Sequence, residues 1–162
     1  MIDKRKKSYH REERKNDLFS EVIQIKRVSK KTKGGNQISF TALMVVGDQK
    51  GRVGVGLGKG RDVLSAINKG RKLANKRLFA VPRHQTTVYH DILVKRGAAK
   101  VFLKPAPSGS GIIASQAIKI IMEAVGIRDI SVKILGTRNR TSNVYAVIQA
   151  FKELKEIYES TK

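Results

Sequence analysis

The chain of 162 residues has no cysteine and no tryptophan, 3 prolines, 3 histidines and only 13 acidic residues. Without cysteine there is no disulfide, no thiolate nucleophile and no Cys-ligated zinc or iron–sulfur site. His10, His84 and His90 stand in a tail, a linker and a strand, with no partner at catalytic or metal-ligand spacing. The acids are scattered and read as solvated or helix-end charges. No acid–base pair, metal site or cofactor loop emerges, so an enzyme is not expected and no cofactor is implied. Apolar runs are short as well. Residues 112–122 form the most apolar stretch, and Gln116 and Lys119 interrupt it well short of a membrane span. The N-terminus runs into more charge without a signal core, so neither secretion nor membrane insertion is expected. Aromatics are scarce too, 4 Tyr and 5 Phe, which leaves no evident platform for stacked bases.

Against these absences stands one excess. Lysine and arginine number 34, for a formal net charge of +21. Self-repulsion of that size disfavours a compact free chain and points to a polyanionic partner. A hydrophobic share of 40% is still well above that of a disordered chain, so this is a folded basic protein.

Along the chain, residues 1–16 form a basic tail with almost nothing apolar. Residues 22–28 and 38–46 alternate as strands, separated by the loop chemistry of residues 29–36. After a hairpin turn at 47–51, residues 52–58 make a third strand with alternating glycines. A helix opened by residues 59–62 runs to about Leu78, with Val63, Ala66, Ile67, Gly70 and Ala74 on its buried face. Arg61, Lys69, Lys72 and Lys76 lie on the other side. Pro82 marks a linker at 81–86, beginning as early as Phe79. Strands follow at 87–95 and 98–104, turning near Arg96 and Gly97. Next come a mostly buried helix through Val125 that includes Ile113, a cap at Gly126, a strand at 130–134, and a last helix after the loop at 136–142. The fold class is α+β: a βββα unit at 17–80, a ββαβα unit at 87–158 and a short tail at 159–162. Units that small have marginal cores, and docking together or onto a large partner would help both.

Two loops invite a nucleotide reading and fail it. The run Val55-Gly56-Leu57-Gly58-Lys59-Gly60 fits neither the dinucleotide fingerprint nor a Walker loop. Its better reading is a strand of close backbone approach ending at a helix N-terminus, where Lys59 and Arg61 would hold an RNA phosphate. Residues 105–115 resemble a small-molecule kinase phosphate loop, but Ser110 and Ile113 break its pattern and no acid nearby offers itself to Mg²⁺. The strongest cluster is Lys26, Arg27, Lys30, Lys31 and Lys33 beside Gly34 and Gly35. Five cations on rigid strands, with glycines that let backbone N–H groups approach phosphates, suit shape and backbone recognition of structured RNA. A free-standing double-stranded-RNA or nucleic-acid architectural protein would share that charge.

The motifs add a resemblance. Arg27-Val28-Ser29-Lys30, Lys33-Gly34-Gly35, Ser39-Phe40-Thr41-Ala42-Leu43, Val45-Val46-Gly47-Asp48 and Gly51-Arg52-Val53-Gly54, on to Gly58-Lys59, resemble the signature of the family of the fifth protein of the bacterial small ribosomal subunit. Val101-Phe102, Pro105-Ala106, Gly109, Gly111-Ile112-Ile113-Ala114, Gly136, Asn139 and Asn143-Val144 extend the match over residues 18–155. The resemblance implies a first domain similar to a double-stranded-RNA-binding domain lacking its first helix, and a cytoplasmic, ribosome-bound protein in translation. It implies binding to small-subunit ribosomal RNA, contacts with the fourth and eighth proteins, and a part in decoding accuracy. Residues 28–35, Ser29 included, would face RNA of the subunit head. Lys26, Arg27 and Arg52 are candidates for the messenger RNA entry side, and Arg96, Gly97 and Lys100 for the side facing the fourth protein. Arg138 and Arg140 depart from the family, which usually has small residues and a proline there, and Ser115 replaces a usual glycine. Residues 4–15 match nothing in the family and read as an added RNA-binding arm.

Overall fold

The computed structural model describes residues 18–160, so the basic tail at 1–16 lies outside the described residues. β1 (Phe19–Thr32), β2 (Gly35–Gly47) and β3 (Arg52–Gly60) form the expected antiparallel meander. Three boundaries differ from expectation. Residues 29–36 are not a loop: β1 and β2 continue pairing out to Thr32 opposite Gly35, leaving a two-residue turn at Lys33-Gly34. The helix α1 (Val63–Lys76) starts later than expected, because Lys59 and Gly60 still pair with β2. Phe79 and Ala80, expected in a linker, form β4 (Phe79–Ala80) and pair with Val53 and Arg52 at the sheet edge. In each case backbone pairing extends into residues whose side chains carry no apolar alternation.

β3 carries glycine at every second position because α1 lies directly on it. A Cβ at Gly54, Gly56 or Gly58 would fall on the backbone carbonyl of Ala74, Gly70 or Ala66 respectively. The helix reciprocates with Gly70, where a Cβ would stand 2.8 Å from Met44 Cγ. Backbone therefore packs on backbone, and the buried stripe Ala66, Gly70, Ala74 is uniformly small.

The second half is β5 (Ile92–Arg96), β6 (Ala99–Pro105), β7 (Ile112–Ile113), α2 (Gln116–Val125), β8 (Ile130–Ile134) and α3 (Arg140–Ser160). The sheet order is β5-β6-β8-β7, antiparallel except for the parallel β7–β8 pair. Here too the strands shift. β5 begins at Ile92 rather than residue 87, and Thr87 instead bridges His84. Ile113, expected on the buried helical face, is in β7 and 61% exposed. α3 starts at Arg140 and takes in Glu159 and Ser160, two residues of the expected tail. Gly126 caps α2 in the left-handed region at φ 86°, as read from the sequence.

The two halves share one core. Leu43, Val45, Val53 and Val55 of the first sheet lie on the face opposite α1, and they pack in one cluster with Ile118, Ile121 and Phe151 of the second half. The turn between β2 and β3 completes the joint. Gln49 N–H donates to Ala124 O at 3.0 Å and Gly51 N–H to Val125 O at 2.9 Å. Helix ends leave carbonyls without intrahelical partners, and the first half satisfies two of those of α2. Arg83 Nη1 adds a bond to Gly126 O at 3.3 Å.

A candidate nucleic-acid interface

β3 stops pairing with β2 at Phe40, while β1 and β2 run on together to Thr32 and Gly35. The outer part of the hairpin therefore projects beyond the sheet, by about 15 Å at the usual strand rise. Every residue from 29 to 38 is exposed. The tip is closed by Gly35 at φ 127°, a conformation that L side chains rarely adopt, and by Thr32 Oγ1 donating to Gly35 O at 2.8 Å.

Strand alternation sorts the cations of this ribbon. Lys26 and Lys30 point to one face. Lys59 joins them, since Lys26 pairs with Thr41 and Thr41 with Lys59 across the sheet. Arg27, Ser29 and Lys31 take the other face, with Lys33 and Gly34 at the tip. No acid occurs between residues 22 and 47. Among the described residues no ribbon cation has an acidic partner; the ion pairs are Arg52–Asp48 and Lys155–Glu159. Positive charge is thus concentrated and exposed on a projecting finger of two paired strands.

The other expected RNA-binding residues fall elsewhere. Lys69, Lys72 and Lys76 form an exposed stripe on α1, with Arg61 ahead of its first turn. Arg71, which sequence reading did not single out, is tied to Ser20 Oγ of β1. Arg52 lies at the far end of β3 from Lys59, about 23 Å away along the strand, and its Nε donates to Asp48 Oδ2 at 2.8 Å. Burial pushes the Asp48 carboxyl up, but hydrogen bonds from Arg52 and Lys50 outweigh it and hold the group below the ordinary carboxylate range. Arg52 therefore serves the docking turn first. The phosphate expected at the start of α1 also finds its place taken. The Asp62 carboxylate accepts the Ser65 N–H at 2.8 Å, and that bond holds Asp62 below its usual pKa. An anion already caps this helix. Arg96, Gly97 and Lys100 are exposed at and beside the β5–β6 turn, with Arg96 stacked 5.0 Å over the Tyr145 ring.

The kinase-like loop is occupied in the same manner. Gly109 and Gly111 each donate their N–H to Asp129 Oδ1 at 3.0 Å, and Asp129 is 4% exposed. A buried carboxylate stands where a nucleotide phosphate would have to sit. The Thr86 hydroxyl, then the two glycine amides, hold its pKa below the ordinary value. A folded pKa below the unfolded value of about 3.9 means that this group stabilises the fold above that pH and loses its contribution as pH falls through the folded value. Asp129→Asn is expected to lower the urea midpoint at pH 7, by a difference that shrinks below about pH 4. A difference unchanged from pH 7 to pH 3 would rule this role out.

Among the described residues no group of His, Cys, Asp and Glu is arranged to hold a metal, and no helix is long and apolar enough to cross a membrane.

Comparison with known proteins finds matches in both halves of the chain. Residues 18–82 match the family described as "Ribosomal protein S5, N-terminal domain", and residues 94–162 that described as "Ribosomal protein S5, C-terminal domain". The chain is 44% identical over 140 residues to the small ribosomal subunit protein uS5 of Syntrophobacter fumaroxidans, covering 86% of this chain and 84% of that one. It is 42% identical over 143 residues to uS5 of Chloroflexus aurantiacus, covering 88% and 80%. Against uS5 of Protochlamydia amoebophila it is 42% identical over 144 residues, covering 89% and 86%.

Proposed function

Because the chain belongs to the ribosomal protein S5 family, a family of ribosomal proteins rather than enzymes, we propose that it is a structural constituent of the small ribosomal subunit that binds ribosomal RNA. The observation that carries the RNA contact is the projecting β1–β2 ribbon, with five cations and no acidic partner among the described residues. Lys26, Lys30 and Lys59 engage phosphates on one side of the ribbon, and Arg27, Ser29 and Lys31 on the other. Lys33, Gly34 and Gly35 enter a groove end-on. The Lys69, Lys72 and Lys76 stripe, with Arg61, supplies a second line of phosphate contacts. Apart from Phe40 at its base the ribbon has no aromatic ring, so backbone and shape are read rather than stacked bases.

In this reading the protein helps subunit assembly and decoding accuracy. The surface around Arg96, Gly97 and Lys100 faces the fourth protein of the subunit, and the eighth is a further neighbour. Lys26, Arg27 and Arg52 border the messenger RNA entry. The units are 17–80 and 87–158, joined at 81–86 and acting as one body on the ribosome.

Sedimentation of a cell lysate after washing in raised salt tests the proposal. Screening weakens isolated phosphate contacts quickly; about 6–10 of them lose ~10³–10⁵-fold in affinity over a modest salt increase. The chain is expected to stay with the small subunit in constant stoichiometry. Loss on washing, or spread over all RNA, would favour the free-standing double-stranded-RNA binder.

A further inference from the structure

We propose that the open face of the second sheet binds a single-stranded segment of RNA, with bases laid on its apolar side chains and phosphates on its lysines. The assignment rests on the ribosomal-RNA reading above, but it puts a different form of RNA on different residues. Strand alternation gives this sheet two unlike faces. On one, Val94, Val101, Leu103 and Val132 join Ile118 and Phe151 in the core. On the other, pairing sets three rows side by side. Lys95 stands opposite Lys100, and Leu135 continues the row, its N–H donating to Lys100 O at 2.8 Å. Leu93 stands opposite Phe102, and Phe102 opposite Lys133. Lys104 stands opposite Ser131, and Ser131 opposite Ile113.

Every charge in these rows is positive. The four lysines are exposed, and β5, β6, β7 and β8 contain no acid. Asp91 precedes β5, but among the described residues it forms no ion pair, and neither do the four lysines. Like charges directly opposite each other on a sheet are destabilising, yet Lys95 and Lys100 are paired in that way. An anion laid across the rows relieves the repulsion.

The apolar residues select the form of that anion. Leu93, Leu135 and Ile113 are 51%, 56% and 61% exposed, and Phe102 is half-buried. An RNA duplex turns phosphates and sugars outward and would leave these side chains uncovered. An unpaired strand carries an apolar base face beside each phosphate, and four-stranded sheets hold such strands by stacking bases on their exposed rings. Phe102 takes one base, with Leu93 beside it and Leu135 diagonal to it. A single ring stacks a single base, so the face holds a short segment without reading its sequence. Lys100 lies on the rim shared with the β5–β6 turn, so this RNA runs beside the surface assigned to the fourth protein.

Amide NMR of the full chain tests this with two probes, a short oligouridylate and a short RNA duplex. The oligomer is expected to shift Leu93, Phe102 and Lys133. The duplex is expected to shift Gly34 and Gly35 of the ribbon and to leave those three largely unmoved. Phe102→Leu keeps the site apolar while removing the ring, and should weaken oligomer binding about 10-fold. Lys104→Gln/Lys133→Gln, at exposed positions, should lower its salt slope by about 1.4, at about 0.7 for each single-strand phosphate contact. Oligomer shifts confined to the ribbon would overturn the proposal and leave the ribosomal-RNA reading intact. So would unchanged oligomer affinity and salt slope in both variants. Equal sheet shifts with the duplex would overturn it in favour of a plain polyanion surface. Sheet shifts with polyglutamate as large as those with the oligomer would assign the face to an acidic protein segment instead. Silence at both ribbon and sheet with either RNA would remove the RNA reading and this surface with it.

Discussion

Replacing Gly58 with valine is expected to destabilise the protein by at least about 3 kcal/mol, lowering its melting temperature by roughly 10 °C. The reason is the nature of the obstacle. A Cβ at Gly58 meets the Ala66 carbonyl oxygen and the Gly70 amide, both backbone atoms of α1. No side-chain rotation makes room, so the helix must lift and the small stripe of Ala66, Gly70 and Ala74 comes away from the sheet. Gly34→Ala is the matched control, because a Cβ there meets nothing within 4 Å and Gly34 is not in the left-handed region. Urea unfolding followed by circular dichroism separates the two variants. Equal midpoints for Gly58→Val and the wild type would contradict backbone-on-backbone packing between β3 and α1.

The second large effect is on binding. Lys30→Glu/Lys31→Glu is expected to lower affinity for structured RNA by about 100-fold, at about 1.5 kcal/mol for each charge-assisted hydrogen bond to phosphate that is removed. The melting temperature should hardly move, since both residues are exposed and neither has an acidic partner among the described residues. The single variants carry more information than the pair. Lys30 and Lys31 point to opposite faces of the ribbon, so comparable weakening in each means that RNA wraps the finger, whereas weakening in one alone means that it lies along one face. Filter binding at several salt concentrations measures both affinity and salt slope. Unchanged affinity in the double variant would move the RNA contact away from the ribbon.

Where the sequence was legible, a periodic pattern coincided with a packed face. The glycines of β3 announced close backbone approach, and Val63, Ala66, Gly70 and Ala74 announced which side of α1 is covered. The ribbon was hidden for the converse reason. Residues 29–36 are all exposed, so their composition is that of a loop even though their backbone pairs through to Thr32 and Gly35. Lys59 and Arg61 were read as flanking an open helix terminus, but whether Asp62 closes it depends on one hydrogen bond that spacing does not disclose. The same holds for Asp129, which is distant in sequence from the glycine amides it binds. Nothing local in Gln49 or Gly51 signals that their amides cap a helix some 75 residues further on. The basic residues were thus identified, while their grouping into a finger, a helix stripe and an isolated Arg52 required the fold.

β1 has a further consequence, for the chain before it meets its partner. Among the described residues it is an edge strand of 14 residues, paired on one side only. Long edges of this kind template association with other chains, and lysine along them is a recognised deterrent. The cations that suit the ribbon to a polyanion therefore also keep newly made copies apart, by mutual repulsion at net charge +21. That protection is colloidal and lasts only while the charge is uncompensated. A substoichiometric polyanion that neutralises several copies at once removes it, and the mixture turns cloudy; an excess of RNA, with each copy on its own site, restores clarity.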